Sequence, residues 1–133
     1  MTPRTRILLV GHCAADTALL TGFARRHAPQ ATVSSARSDA DLADATPDTL
    51  LLVNRVLERG FATNNGVDLI ASLANNPDAP AAVLISNYPD AQQAALAAGA
   101  HPGFGKAELT EPHAGAALQA ALNDPTPTPA PTD

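Results

Sequence analysis

The chain reads as an α/β protein of the open, doubly wound kind, a three-layer sandwich of one parallel sheet between two layers of helices. Three observations carry this reading. The runs Ile7-Leu8-Leu9-Val10, Leu50-Leu51-Leu52-Val53 and Ala81-Ala82-Val83-Leu84-Ile85 are continuously apolar rather than alternating, the mark of strands buried on both faces of a parallel sheet. Stretches with helical spacing and helix start and stop signals separate them. Strand and helix patterns alternate along the whole chain, and right-handed crossovers with short connections then favour a doubly wound sheet.

The elements follow in order. The first strand is residues 7–10. A helix over residues 14–27 places Ala15, Leu19 and Phe23 four apart, with Leu20 and Ala24 beside them, on one apolar face. Asp16 in its first turn, and Arg25, Arg26 and His27 in its last, complement the helix dipole, and Pro29 stops it. Ala31-Thr32-Val33-Ser34-Ser35 has a poorer burial pattern and suits an edge strand. Residues 39–45 make a short, weak helix. The central strand ends at Asn54, and a long loop, residues 55–65, follows it. Two readings of that loop stand: long loops in compact domains are often functional, and a tolerated surface insertion is the plain alternative. Residues 66–74 make a helix that turns Val67, Ile70, Leu73 and Ala74 inward. After the fourth strand, Pro89 opens a helix and Gly99 closes it as a left-handed cap. Gly103-Phe104-Gly105-Lys106 is expected to be the last strand. The final helix spans about residues 111–123, with Thr110 as its cap, Pro112 in its first turn, and Leu118 and Leu122 inward.

Residues 1–123 thus form one domain. Residues 124–133, rich in Pro and Thr, are expected to be an extended, disordered tail, either a linker or simply a terminus. The 133 residues are 45% apolar but only 3% aromatic, so Ala, Leu and Val must fill the core. The net charge of -5 argues against a nucleic-acid partner, and the arginines of the first third are scattered rather than forming a stripe. A single cysteine, Cys13, excludes an internal disulfide and fits a reducing compartment. No apolar run approaches the roughly 20 residues that span a bilayer, and the first residues do not read as a signal peptide. No membrane partner is expected, and the expected compartment is the cytoplasm.

In a doubly wound sheet, ligands bind beyond the carboxyl ends of the strands. The sequence places Gly11 and His12 after the first strand, Asn54 after the third, Ser86 and Asn87 after the fourth, and Lys106 at the fifth. A hydroxyl, a lysine and a central strand-end residue converging on one crevice resemble the response-regulator receiver domain. The resemblance covers about residues 5–123. It rests on the order of elements, Pro47-Asp48 before the third strand, Leu57 three residues beyond its end, and Gly66-Val67-Asp68-Leu69-Ile70 opening the third helix. Ser86, Gly99-Ala100 and Lys106 add to it. It implies a five-stranded sheet of order 2-1-3-4-5, as in flavodoxin and CheY-like proteins, and a role in two-component signalling.

The departures from that family define the expected function. Where receivers carry two acidic residues after the first strand, this chain has Gly11 and His12. At the position of the phosphorylated aspartate it has Asn54. At the aromatic switch position, three before the lysine, it has Gly103, and Ala107 follows Lys106 in place of the usual proline. An amide is too weak a nucleophile to accept a phosphoryl group. Magnesium needs carboxylate oxygens, and transfer needs both nucleophile and metal. No metal and no cofactor are therefore expected. Ser86 and Lys106 remain, and Lys106 is left to pair with a backbone carbonyl, with Asp16, with Glu58 or with an incoming anion.

His12-Cys13 at a helix start invites a thiol or metal reading, since a helix N-terminus lowers a thiol pKa. Without CxxC, and with His27, His101 and His113 far apart in sequence, that reading is set aside. GxGxxG and the P-loop are also absent. The expected function is a degenerate receiver, not an enzyme, that works as a phosphorylation-independent interaction module for a signalling partner, a histidine kinase or an effector. A homodimer through the alanine-rich fourth helix, fifth strand and fifth helix is its further expectation. The alternative is a small-ligand-binding or enzymatic flavodoxin-like domain. That would show an open pocket lined by Gly11, His12, Asn54 and Lys106, where the binding module would show a collapsed crevice.

Overall fold

The computed structural model describes residues 3–57, 60–74, 76 and 78–124. The elements are β1 (Arg6–Val10), α1 (Ala14–His27), β2 (Thr32–Ala36), α2 (Asp39–Leu42), β3 (Thr49–Asn54), α3 (Gly66–Leu73), β4 (Ala81–Ile85), α4 (Pro89–Ala98), β5 (His101–Phe104) and α5 (Pro112–Asn123), with a single 3-10 turn at Lys106–Glu108. The strands form one sheet of order β2-β1-β3-β4-β5, parallel throughout. The sheet order and the fold expected from the resemblance are those observed.

The continuous apolar runs work as a two-sided surface. Successive side chains of a strand point to opposite faces. Ile7, Leu9, Leu50, Leu52, Val83 and Ile85 therefore pack on one side with Leu20 and Phe23 of α1 and Leu118 and Leu122 of α5. Leu8, Val10, Leu51, Val53, Ala82 and Leu84 pack on the other with Leu69 and Ile70 of α3 and Ala95 of α4. The scarce aromatic residues are concentrated: the Phe23 and Phe104 rings meet at 5.2 Å, tilted by 53°.

At the pole away from the strand carboxyl ends, the buried Arg4 side chain spans the chain's two ends. Its Nη1 donates to Ala121 O at 2.8 Å and its Nε to Pro47 O at 3.1 Å. A cation on the last-turn carbonyls of α5 also complements that helix's dipole.

Four expectations are corrected. The apolar face of α1 is Leu20, Phe23 and Ala24, while Ala15 is exposed and Leu19 is 51% exposed. The cap of α5 is Glu111, not Thr110, and Pro112 is its first helical residue. The helix expected over residues 39–45 stops at Leu42. The last strand begins at His101 and ends before Lys106, which opens the 3-10 turn instead. Gly99 does close α4 in the left-handed region, at φ 110. The tail expectation for residues 125–133 lies outside the described residues.

The shift in β5 has a physical reason. Val83 pairs with His101 and Ile85 with Phe104, so β5 carries one extra residue there, a bulge occupied by Pro102 and Gly103. Pro102 has no N–H to give the ladder. Gln92 of α4 supplies what is missing: its Nε2 donates to Leu84 O at 2.9 Å and Ser86 O at 3.0 Å, with Phe104 O at 3.4 Å. Replacing Gln92 by Leu keeps the bulk and removes the donors that bridge these part-buried carbonyls. We expect a loss of roughly 1–3 kcal/mol, read as a lower urea midpoint with an unchanged slope.

Candidate functional site

The site lies where β1, β3, β4 and β5 end together, and Asn54, the last residue of β3, is at its centre. Its Nδ2 donates to Gly11 O at 3.1 Å and to Val56 O at 2.9 Å. Its Oδ1 accepts from Lys106 Nζ at 3.2 Å. One amide thus joins the loops after β1, β3 and β5, using both of its donors and one of its oxygen's two lone pairs.

Lys106 makes its shorter bond to Asp16 Oδ2, at 2.7 Å. Of the partners open to it in the sequence, Asp16 is the one observed, so the crevice's cation does have an anion. The pairing with Glu58 falls outside the described residues. Lys106 holds the Asp16 carboxyl below its usual range, and the Cys13 side chain acts in the same direction. The sequence offered Asp16 both as a complement to the helix dipole and as one of several partners for Lys106. Its place one turn into α1, after the β1 end, is what brings it over the sheet to Lys106.

The two positions where the family carries acids are closed by geometry. Gly11 has φ 76, a region that L side chains rarely adopt. A Cβ there would also stand 2.5 Å from Leu57 Cδ2, and Leu57 is buried. His12 turns its ring inward. Its Nε2 donates to Leu52 O at 2.8 Å, which leaves Nδ1 as the unprotonated nitrogen. That atom is buried without a hydrogen-bond partner. Burial is the main reason the ring's pKa falls to about 4, and Lys106 pushes the same way against Leu52 O and Asp16. A neutral, half-buried imidazole stands where a metal-binding carboxylate would be needed. Among the described residues, no group of three or more His, Cys, Asp or Glu side chains could hold a metal ion.

The loops after β4 and β5 complete the rim. Ser86 is buried, and its hydroxyl oxygen accepts from Tyr88 N at 3.1 Å. Asn87 Oδ1 accepts from Ala107 N at 3.1 Å, and Asn87 also occupies the space a Cβ at Gly105 would need. Glu108 accepts from Gly105 N at 2.7 Å and pairs with His113 at 2.7 Å. The Gly103 position has no room for the switch ring: a Cβ there would run into Leu84 O, with Gln92 Oε1 at 2.9 Å.

The described residues of the long loop after β3 are anchored to their surroundings. Val56 and Asn65 form an antiparallel bridge, Leu57 N donates to Asn64 O at 2.9 Å, and Gly66 N to Arg55 O at 2.8 Å. Gly60 O accepts from Asp39 N at 2.8 Å, tying the loop to the start of α2. Arg55, which sequence reading passed over, lies with its guanidinium over the exposed Tyr88 ring, 4.8 Å from the centroid.

The crevice is therefore divided. Its β1 side is filled by the bonds among Gly11, Asn54, Asp16 and Lys106. Its β4 side is open, a cleft of about 200 Å³ lined by Asn54, Arg55, Val56, Ser86, Tyr88 and Lys106 among others. Neither Gly11 nor His12 lines that cleft. A second hollow, of about 410 Å³, lies across Tyr88 and over Gly103.

Comparison with known proteins agrees on the fold. Neither a family model nor a curated protein sequence matches the chain. Solved structures do. A response-regulator receiver domain from Rhodospirillum rubrum aligns over 89% of this chain and 92% of its own, with TM-score 0.61 and 15% identity. A response regulator from Burkholderia pseudomallei, with a phosphorylated aspartic acid, calcium ion and citrate, aligns over 90% of this chain and 66% of its own, at TM-score 0.58 and 20% identity. The signal receiver domain of a DNA-binding response regulator from Colwellia psychrerythraea 34H aligns over 77% and 86%, at TM-score 0.57 and 17% identity. The chain has the CheY-like receiver fold.

Two outcomes test the geometry. Asn54→Asp would set a carboxylate oxygen against Gly11 O and Val56 O, so we expect it to lower stability at pH 7 by roughly 1–3 kcal/mol despite the nearby Lys106, measured by urea unfolding. His12 contributes a slope of its own. Its folded pKa of about 4 lies below the ordinary 6.5, so between those values the unfolded chain binds more protons and stability falls as pH falls. The Asp16 and Glu108 carboxyls, both lowered, give up their contribution only below the usual carboxylate range. Urea midpoints from pH 7 to pH 4 should therefore drop more for the native chain than for His12→Gln.

Proposed function

We propose that this receiver-fold domain works as a signalling module without accepting a phosphoryl group, its output set by the binding of a protein partner. The observation that carries the reading is the bonding of Asn54. Both N–H donors of its amide are committed to main-chain carbonyls, and its oxygen to Lys106. The side chain is a structural tie at the place where a nucleophile would act. The left-handed backbone of Gly11, which disfavours any side chain, and the inward ring of His12 support the same conclusion for the metal, because neither position offers a carboxylate. A neighbour of the same fold carries a phosphorylated aspartic acid and a calcium ion. At the corresponding end of this sheet Asn54 offers an amide, and Gly11 and His12 offer no carboxylate.

A module of this kind is non-enzymatic and cytoplasmic, and it serves a histidine kinase or an effector. Among the described residues, no helix is long and apolar enough to cross a membrane. The surface of α4, β5 and α5 is the proposed face for self-association. Asp90 is the one charged residue of α4, and Leu96 on that helix is 41% exposed, so a second copy could approach closely with little desolvation of charge. Binding of nucleic acid is not part of the proposal.

The test is an NMR titration with magnesium and beryllofluoride, a phosphoryl mimic. Amide signals of Asn54, Ser86 and Lys106 should stay unmoved up to saturating mimic. Saturable shifts at those three residues would sink the phosphorylation-independent reading.

A further inference from the structure

We infer that the open cleft beside Asn54 docks an acidic segment of a protein partner. The Arg55 guanidinium takes a carboxylate, and Val56 and Tyr88 take an apolar side chain next to it. This rests on the binding-module reading above and gives the partner its chemistry.

Charge comes first. The chain is acidic, with a net charge of -5, yet the cleft is lined by two cations, Arg55 and Lys106, and by no carboxylate. Lys106 is already neutralised by Asp16, so Arg55 is the cation of this cleft left for a new partner. Its guanidinium face lies on the Tyr88 ring, and stacking of this kind spends the face of the group and leaves the N–H donors at its edge. Among the described residues, no ion pair or side-chain hydrogen bond uses those donors. The stack also holds the fork in place before anything binds, which reduces the ordering cost of a bidentate carboxylate contact.

The apolar part is beside it. Among the described residues, four large hydrophobic side chains are left exposed, and two of them, Val56 at 47% and Tyr88 at 59%, border this same cleft. Arg and Tyr are the residue types that most often dominate binding energy at protein interfaces. Size selects the occupant. Small-molecule sites usually run from about 300 to 1,000 Å³, whereas about 200 Å³ suits one or two side chains of a partner. Within reach of them, the Ser86 hydroxyl spends its oxygen on Tyr88 N and keeps its proton for a ligand.

The experiment uses the full chain, isotope-labelled, titrated with a blocked peptide of alternating Glu and Leu and with its Gln-for-Glu counterpart. The acidic peptide should give saturable shifts at Arg55, Val56, Asn87 and Tyr88, weaker at raised salt, and the Gln peptide none. Arg55→Gln should weaken binding about tenfold and leave the urea midpoint in place, since Arg55 is exposed. Arg55→Lys, which keeps the charge and loses the fork, should recover only part of it. Equal shifts with the neutral peptide, shifts that survive Arg55→Gln, or no shift up to about 5 mM peptide would each overturn the proposal. So would inorganic phosphate moving Ser86 and Lys106 while the peptide is silent, which marks a small-anion site. Shifts that track protein concentration alone would assign the cleft to a second copy. Peptide silence together with beryllofluoride silence removes the docking proposal and leaves the binding-module reading standing, whereas a beryllofluoride response removes the latter.

Discussion

A primary amide offers two N–H donors on one atom and a carbonyl acceptor on the other, and at Asn54 both ends are used. The donors face Gly11 O and Val56 O, and the acceptor faces the Lys106 ammonium. No carboxylate can reproduce this, because it has no donors. The loops after β1, β3 and β5 are therefore held in register by a single side-chain amide. The arrangement of the site follows from this. Lys106 is pulled inward until Asp16 meets it from α1, the β1 side of the crevice closes, and the opening is left on the β4 side.

The loss of acidic residues is consequently a matter of backbone as well as side chain. Gly11 sits at φ 76 with the Leu57 side chain against it, so any larger residue there meets strain and a clash together. His12 supplies a hydrogen bond to Leu52 O from a largely desolvated ring, a bond that a carboxylate, which cannot donate, could not make. Gly103 tells the same story: Gln92 and Leu84 O fill the volume that a ring would occupy. At Gly11 and Gly103 the space a side chain would need is occupied by neighbouring atoms.

Much of this fold was legible because burial on two faces writes a distinctive run, and β1, β3 and β4 carry it. Gly99 and Pro89 marked their helix ends for steric reasons that hold in any context. What misled was weaker physics. In α1, Ala15 and Leu19 share the spacing of Phe23, but the helix lies so that Leu20 and Ala24 face the sheet, and small apolar residues on its outer side gave no contrast. In β5, Lys106 seemed to close a strand, whereas the bulge at Pro102 and Gly103 had already consumed the register. At the site, the positions could be listed from strand ends and Asp16 named among the partners open to Lys106, but not chosen from them, because the two are far apart in sequence; Gln92 looked like one polar residue in an alanine-rich helix. Arg55 carried no motif at all. Its meaning comes from Tyr88, which only the packing of two loops brings beneath it.

The bulge in β5 has a consequence for how molecules of this protein can meet. An edge strand with an unbroken row of N–H and C=O groups is a template for another strand, and so for open-ended stacking of sheets. Here the outer edge contains Pro102, which cannot donate, and a local irregularity that spoils the regular spacing of the remaining groups. Copies that associate through this side must do so by side chains from α4 and α5, in a contact that closes on itself. A continuous sheet running from one molecule into the next is disfavoured at this edge.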